Sequence, residues 1–540
     1  MKKIGLLSVF SALVCSAWAV PARRGEIVKT QPDGTQIVVY QHGDEHFHWM
    51  TNEKGEWLKM DVDGFYRVTE ALSAEQIEAK RMAAPSRAAQ AATPLNIAPR
   101  GLVILVNFQD VAFETDKAEM DSMLTGKNYT RDYSYFYRGK KQSITSKGSA
   151  WQYFYDSSNG HYDPQFDVIG PVTVSKNMEY YGKNNPSTQF DAAPWTMVEE
   201  ACQLVDDSVD FKQYDNDHDG YVDFVYVIYA GYGEADGGDK NTIWPHSYWL
   251  LTAGITLKVD GKCVDLYACG NEMDSRTNYH TGIGTFCHEF SHVLGLPDLY
   301  ETTGYGTYKT IGAWSILDYG PYNNDGNTPP AYSAYEQFFM GWLMPRLIVD
   351  AENVELEELQ ASNSALLIST TDQHNLIGND PKPTTFYLLE NRQQVGWDEY
   401  LPGHGLMLTK VQYDYNKWTN NTVNNSSNRM GVDLIEADGK KPSSSSNGYT
   451  GKAGDLFPAG ATEYLGITNH SIEDVSEQDG IIYFKYRGGI ATSTEQVQTE
   501  ETIIAIYNIL GQKQAAVDIE SLPHGTYVVV TTAGSKKIVR

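Results

Sequence analysis

The sequence predicts a mixed α/β (α+β) domain with β-rich segments on both sides, and three observations predict it. Buried-strand runs at Leu102 to Phe108 and Val222 to Ala230 are separated by helical spacing over Ala192 to Val205, and a further helical pattern covers Ala334 to Leu343. Before residue 72, short alternating runs (Thr35 to Tyr40, Phe47 to Met50, Phe65 to Val68) are punctuated by Asp33-Gly34, Lys54-Gly55 and Asp63-Gly64, the pattern of hairpins. Beyond Arg346 the chain is rich in strands and turns, as in Thr385 to Glu390, Gly405 to Val411 and Gly480 to Tyr486, and reads as a β-sandwich or a β-rich extension.

Length and charge bound the function. A chain of 540 residues allows three or four modules. With 42 Lys and Arg against 69 Asp and Glu the net charge is −27, which repels phosphate backbones and excludes nucleic-acid binding by bulk electrostatics. Hydrophobic residues at 41% are enough for real cores.

Residues 1–19 read as a cleaved secretory signal: Lys2 and Lys3, an apolar stretch from Ile4 to Val14, and the small-residue pattern Ala17-Trp18-Ala19. Cys15 does not read as a lipidation site, because Val14 precedes it where a small residue is needed. Residues 20–98 read as a hairpin-rich prosegment followed by a connector. The basic, Ala/Pro/Ser/Thr-rich stretch from Glu75 to Pro99, with Arg81, Arg87 and then Arg100, is an easy protease target. Residues 99–345 are the expected catalytic domain, 346–488 a β-rich domain, and 489–540 a polar spacer with a last small β unit. Asn/Ser tracts at Thr419 to Arg429 and Ser443 to Gly448 are expected to be mobile loops. Cys202, Cys263, Cys269 and Cys287 allow three pairings, none favoured by the sequence.

The chemistry concentrates in Thr285-Phe-Cys-His288-Glu289-Phe-Ser-His292-Val-Leu-Gly295-Leu-Pro-Asp298. Residues four apart on a helix share a face, so His288 and His292 can offer imidazole nitrogens to one ion, with zinc expected for such a donor set. Glu289 then stands beside that ion, where it can take a proton from an attacking water and return it to a leaving amine. Gly295 can end the helix in a left-handed conformation, and Asp298 would supply a third ligand. Glu301, Asp318 and Glu336 are alternative carboxylates for that place.

Here the sequence resembles the secreted zinc metalloproteases of the immune inhibitor A type, whose signature is H-E-x-x-H-x-x-G-x-x-D and which share features with the metzincins. The resemblance runs from about Pro99 to at least Pro458. It includes Gly101-Leu-Val-Ile-Leu-Val, Phe166-Asp-Val-Ile-Gly-Pro171, Ala230-Gly-Tyr-Gly-Glu234, Leu388-Leu-Glu-Asn-Arg-Gln393 with Leu401-Pro-Gly-His-Gly405, and Gly454-Asp-Leu-Phe457. It implies a metzincin-like fold and endopeptidase cleavage of proteins or peptides, with His288, His292 and Asp298 as zinc ligands and Glu289 as the base. Leu317 falls where the family has a turn beneath the metal, usually with Met, and a Leu for Met exchange keeps that floor apolar. Tyr319 matches a tyrosine that in some metzincins swings near the metal, where a phenol can donate to a developing oxyanion.

A second cluster, Asp215-Asn-Asp217-His-Asp219-Gly220-Tyr221-Val-Asp223, has the spacing of oxygen-rich calcium loops. Tyr226 stands where an EF-hand needs Glu, so a structural calcium loop feeding a strand is expected rather than a helix-loop-helix switch. Cys287, beside His288, points about 100° away on a helix and reads as packing; His246 and His404 also read as structural. The prosegment has no cysteine, so a thiolate cap on the metal is excluded, leaving Asp44, Glu45, His42, His46 and His48 as unranked substitutes. The last module, with Ile503 to Lys513, Leu522 to Val530 and Lys536 to Arg540, resembles the C-terminal sorting domains of the bacterial type IX secretion route. That likeness implies the outer-membrane secretion machinery as a partner and a secreted or cell-surface location. The reading from another class is a surface adhesin that keeps a protease scaffold while its β domain binds.

Overall fold

A computed structural model describes residues 20–45, 47–61, 63–73, 76–77, 99–185, 190–303, 310–441 and 451–490, with parts of 503–539. The signal, most of the connector before Pro99, His46 and the tract Ser443 to Gly448 lie outside the described residues.

The hairpin-rich start is one antiparallel meander of β1 (Ile27–Thr30), β2 (Gln36–Asp44), β3 (Phe47–Thr51), β4 (Trp57–Met60) and β5 (Tyr66–Val68), paired in chain order. Gly34, Gly55 and Gly64 turn at φ of 84°, 77° and 82°, a backbone that glycine adopts without a Cβ clash.

The central part contains β6 (Arg100–Asn107), the hairpin β7 (Thr130–Tyr137) and β8 (Lys140–Lys147), β9 (Gln165–Thr173), β10 (Tyr221–Val222), β11 (Val225–Tyr232), β12 (His246–Trp249), β13 (Leu257–Val259), β14 (Lys262–Val264) and β15 (Leu266–Met273). Its main sheet has the order β12-β15-β11-β6-β9; four strands run parallel and edge strand β12 runs antiparallel. Parallel strands covered on both faces explain the unbroken apolar run in β6. Leu102, Ile104 and Val106 pack with Met197, Val198 and Ala201 of the helix Pro194–Val205. Val103 and Leu105 belong to the core on the other face, which contains Phe286, Cys287 and Phe290 of the helix Gly284–Val293.

Two expectations shift locally. The strand expected from Val222 to Ala230 is split into β10 and β11, because the Asp223 amide donates back to the Tyr214 carbonyl and its carboxylate accepts from Asn216. The helix expected from Ala192 starts at Pro194, whose missing N–H suits a first helical position.

The β-rich part adds β16 (Arg346–Leu347), β17 (Glu352–Leu356), β18 (Leu366–Ser369), β19 (Thr385–Arg392), β20 (Gly405–Gln412), β21 (Val432–Leu434), β22 (Ile472–Gln478) and β23 (Ile481–Tyr486). These form a five-stranded sheet, β16-β18-β19-β20-β21, and a three-stranded sheet, β17-β23-β22. Tyr387 and Leu389 of β19 pack with Val354 and Phe484 of the smaller sheet, as in a sandwich. Phe386 and Leu388, on the opposite face, share the core of the Gly284–Val293 helix. One sheet therefore serves two cores, and the described residues up to Gly489 form a single compact unit. Residues from Ile490 form a second unit, whose β24 (Ile503–Asn508), β25 (Thr526–Thr531) and β26 (Gly534–Val539) make an antiparallel sheet in that order.

Candidate active site

The helix Gly284–Val293 carries His288 and His292 one turn apart. Beyond its end the Gly295 amide donates to the His292 carbonyl and the Leu296 amide to Ser291, with Gly295 at φ 91°, the left-handed stop expected from its position. That reversal brings Asp298 back beneath the helix. Its Oδ1 lies 3.3 Å from His288 Nε2 and 3.2 Å from His292 Nε2, and the two Nε2 atoms are 3.0 Å apart.

The tautomers are fixed by backbone acceptors. His288 Nδ1 lies 2.7 Å from the Ile316 carbonyl, and His292 Nδ1 lies 2.8 Å from the Leu296 carbonyl. A carbonyl only accepts, so each Nδ1 is the donor and each neutral ring turns the lone pair of Nε2 inward. Two lone pairs and a carboxylate oxygen facing one another at these distances repel unless a cation lies between them. Asp298 Oδ1 is also buried without a hydrogen-bond donor among the described residues. The donor set thus fits a divalent metal, and two imidazoles with one carboxylate suit zinc.

Glu289 is wholly buried beside this group. Burial, Asp298 and Glu45 push its pKa well above the usual carboxylate range, against the N–H of Val20, which donates to Oε1 at 2.8 Å; Oε2 has no hydrogen-bond partner among the described residues.

The other predicted residues fall as follows. Leu317 is fully buried under the helix, and its carbonyl accepts from the Leu299 amide in the ligand loop. The Arg24 guanidinium lies 3.5 Å from the centre of the Tyr319 ring. Nearby, the Tyr322 hydroxyl donates to the Pro21 carbonyl at 2.7 Å, so both tyrosines contact residues 20–24. Among the alternative carboxylates, Asp318 accepts from the Gly312 amide, and Glu336 accepts from Ser315 and closes a capping box with Ser333. Neither these two nor Glu301 joins the cluster of His288, His292 and Asp298. His42 bonds Thr51, and His48 pairs with Glu234 and stacks on Trp244, so these two imidazoles are engaged away from the metal donors. His246 bridges the Trp244 carbonyl and the Tyr267 hydroxyl, and His404 pairs with Glu477. Cys202, Cys263, Cys269 and Cys287 are free thiols, and burial raises the Cys287 pKa well above its usual value.

In the acidic loop, Asp215, Asp217 and Asp223 bring carboxylate oxygens together, with Gly220 at φ 97° and His218 at φ 64° making the turn. Asp219 instead accepts from the Tyr221 amide, and the Lys262 ammonium pairs with Asp215.

Sequence reasoning missed two features. The tract Thr419 to Arg429, expected to be mobile, is tied down: Asn421 and Asn424 are 2% and 0% exposed. The Asn421 side chain donates to Asp298 Oδ2 at 2.6 Å and accepts from the Asp298 amide at 2.8 Å, while Asn424 donates to the Leu299 carbonyl. A polar tract looks loop-like when its partners lie over a hundred residues away, so no local signal marked it. The second feature is the occupant of the cleft, residues 20–24. The Val20 carbonyl accepts from Trp244 Nε1, and the Arg23 amide donates to the Ala235 carbonyl. The Arg23 side chain is buried among Asp274, Asp325 and Asp236.

A buried pair of helical histidines and a returning aspartate, with a protonatable glutamate beside them, fit what a hydrolytic metal centre needs. Residues 96–344 match the immune inhibitor A peptidase M6 catalytic domain. The chain is 26% identical over 302 residues to the pre-pro-metalloprotease PrtV of Vibrio cholerae serotype O1, covering 50% of this chain and 33% of that protein. It is 27% identical over 269 residues to immune inhibitor A of Bacillus thuringiensis subsp. alesti, covering 44% of this chain and 39% of the relative. The matches span a third to two fifths of the relatives' length and support an immune inhibitor A-type metallopeptidase domain in this part of the chain.

Proposed function

We propose that the chain is an exported, zinc-dependent endopeptidase of metzincin-like fold, made as a precursor. The observation that carries this reading is the convergence of His288, His292 and Asp298 beside Glu289. His288 Nε2, His292 Nε2 and Asp298 Oδ1 would hold the ion. Bound zinc supplies Lewis-acid polarisation of a water and of the scissile carbonyl. Glu289 takes the proton of the attacking water, keeps it on a carboxyl that burial favours in its neutral form, and passes it to the departing amine as the C–N bond breaks.

Residues 20–24 support the precursor reading, since a substrate cannot use Glu289 while Val20 holds it. Removal of the leader after Ala19 would leave the α-amino group of Val20 facing that carboxylate. Asp215, Asp217 and Asp223 would take a structural calcium, and the last unit would address the chain to an outer-membrane secretion route.

The test is casein cleavage by the matured protein. Activity should disappear in chelator, return with zinc, and fall on the order of a thousandfold or more in Glu289→Ala, while His292→Ala should purify without stoichiometric zinc. Undiminished cleavage by Glu289→Ala would overturn the mechanism. No cleavage by the zinc-loaded matured wild type would instead favour the adhesin reading.

A further inference from the structure

The side chain of Arg23 is the most enclosed cation in the cleft, and it belongs to the segment that must leave before a substrate can enter. Its guanidinium hydrogen-bonds Asp274 and, at 2.6 Å, Asp325 Oδ1, with Asp236 Oδ1 at 3.9 Å. Burial alone would lower its pKa, but Asp274, Asp236 and Asp325 together raise it. These carboxylates come from three separate places, after β11, after β15 and from the loop following Tyr319. Each is held independently of Arg23. Asp274 accepts from the Arg276 and Thr277 amides, Asp236 from Asn271, and Asp325 from the Tyr135 hydroxyl. The only other cation paired with the group is Arg276, 3.3 Å from Asp325, among the described residues. When Arg23 departs, three carboxylates therefore face one guanidinium in a site built to hold two.

The direction of the segment says which substrate residue replaces Arg23. Val20 presents its nitrogen to Glu289, the group that protonates a leaving amine, and the chain runs away from it. Trp244, Tyr322 and Ala235 bind main-chain atoms of residues 20, 21 and 23 in turn. Residues 20–24 thus lie as the amine-side product of a cleavage would, with Val20 first after the scissile bond and Arg23 fourth.

We propose that Asp236, Asp274 and Asp325 form a specificity subsite that takes an arginine or lysine side chain at the fourth position after the scissile bond of a protein substrate. The subsite rests on the peptidase reading above for its use, but its binding can be measured apart from catalysis. A buried, doubly hydrogen-bonded guanidinium discriminates strongly against neutral isosteres, because the carboxylates are otherwise left uncompensated.

The experiment uses the exported full chain after its own maturation. Internally quenched peptides that differ only at the fourth residue after the cleaved bond would carry arginine, citrulline or glutamate. Arginine should exceed citrulline by roughly 10- to 100-fold in kcat/KM, mostly through KM, with glutamate lowest. Asp325→Asn, at a partly buried carboxylate where Asn tolerates the local φ of 51°, should cut that ratio several-fold; Asp274→Asn is the second variant. In parallel, calorimetry in chelator would compare binding of the pentapeptide Val-Pro-Ala-Arg-Arg with its form bearing citrulline at the fourth residue. Equal affinities, no binding of either pentapeptide, or an arginine preference unchanged in both variants would overturn the subsite. Selective binding with no cleavage of any peptide would keep the subsite and sink the peptidase reading.

Discussion

Asp298 lies on a loop rather than a helix, so its aim depends on its neighbours. Asn421 clamps both its amide and its outer oxygen, leaving Oδ1 turned to the two imidazoles. Groups that orient a metal ligand typically contribute 10- to 100-fold in metal affinity when removed. Asn421→Ala is therefore expected to weaken zinc binding by about that factor, read by competition with a chromogenic chelator, while His288→Ala in the same assay should abolish it. Unchanged affinity in Asn421→Ala would mean that the loop holds Asp298 without help. His288, Glu289, His292 and Gly295 were legible because helical period and a glycine stop are local patterns. Asn421 was not, since its partner is 123 residues away.

At the scale of elements, the acidic loop that precedes β11 has the sharpest test. Three carboxylates within one loop repel unless a cation sits among them, and the Lys262 ammonium reaches Asp215 alone. If calcium occupies the loop, it binds only the folded chain and raises the melting temperature by mass action. Asp217→Ala is then expected to melt lower in millimolar calcium, by about 1 °C for each kcal/mol of binding lost, and to match wild type in chelator. Equal losses in both solutions would point to an acidic turn that holds no ion. Spacing singled out Asp215, Asp217 and Asp223, but also Asp219 and Tyr221, which lie outside the cluster the other three form. The break between β10 and β11 was not, because it follows from how Asp223 bonds back to Asn216 and Tyr214.

For the whole molecule, side chains from both sides of residue 345 share cores. β19 gives Phe386 and Leu388 to the core beneath the helix Gly284–Val293 and Tyr387 and Leu389 to the sandwich. Arg392, fully buried, donates to Asp398 and to the Ala331 carbonyl on the catalytic side. The unit that starts at Ile490 closes an apolar cluster of its own around Ile506, Leu522, Tyr527 and Val529. A chain ending at Gly489 is expected to keep the principal melting transition within about a degree by calorimetry, because no residue of the main cores is lost. On the sorting reading, the same truncated chain should accumulate inside the outer membrane rather than in the medium. Normal export of the truncated chain would remove that role from the last unit.

Residue order by itself determined the α/β class, the alternating strands, the helical histidine pair with its glutamate and the position of the helix stop, since each depends on neighbours within a few turns of chain. Tertiary structure alone decided that an asparagine tract aims Asp298, that the β-rich part shares the core behind the helix Gly284–Val293, and that residues 20–24 lie in the cleft with Arg23 among three aspartates. Those outcomes depend on contacts between segments separated by a hundred residues or more, where burial and charge pairing act through space and leave no periodic trace in the sequence.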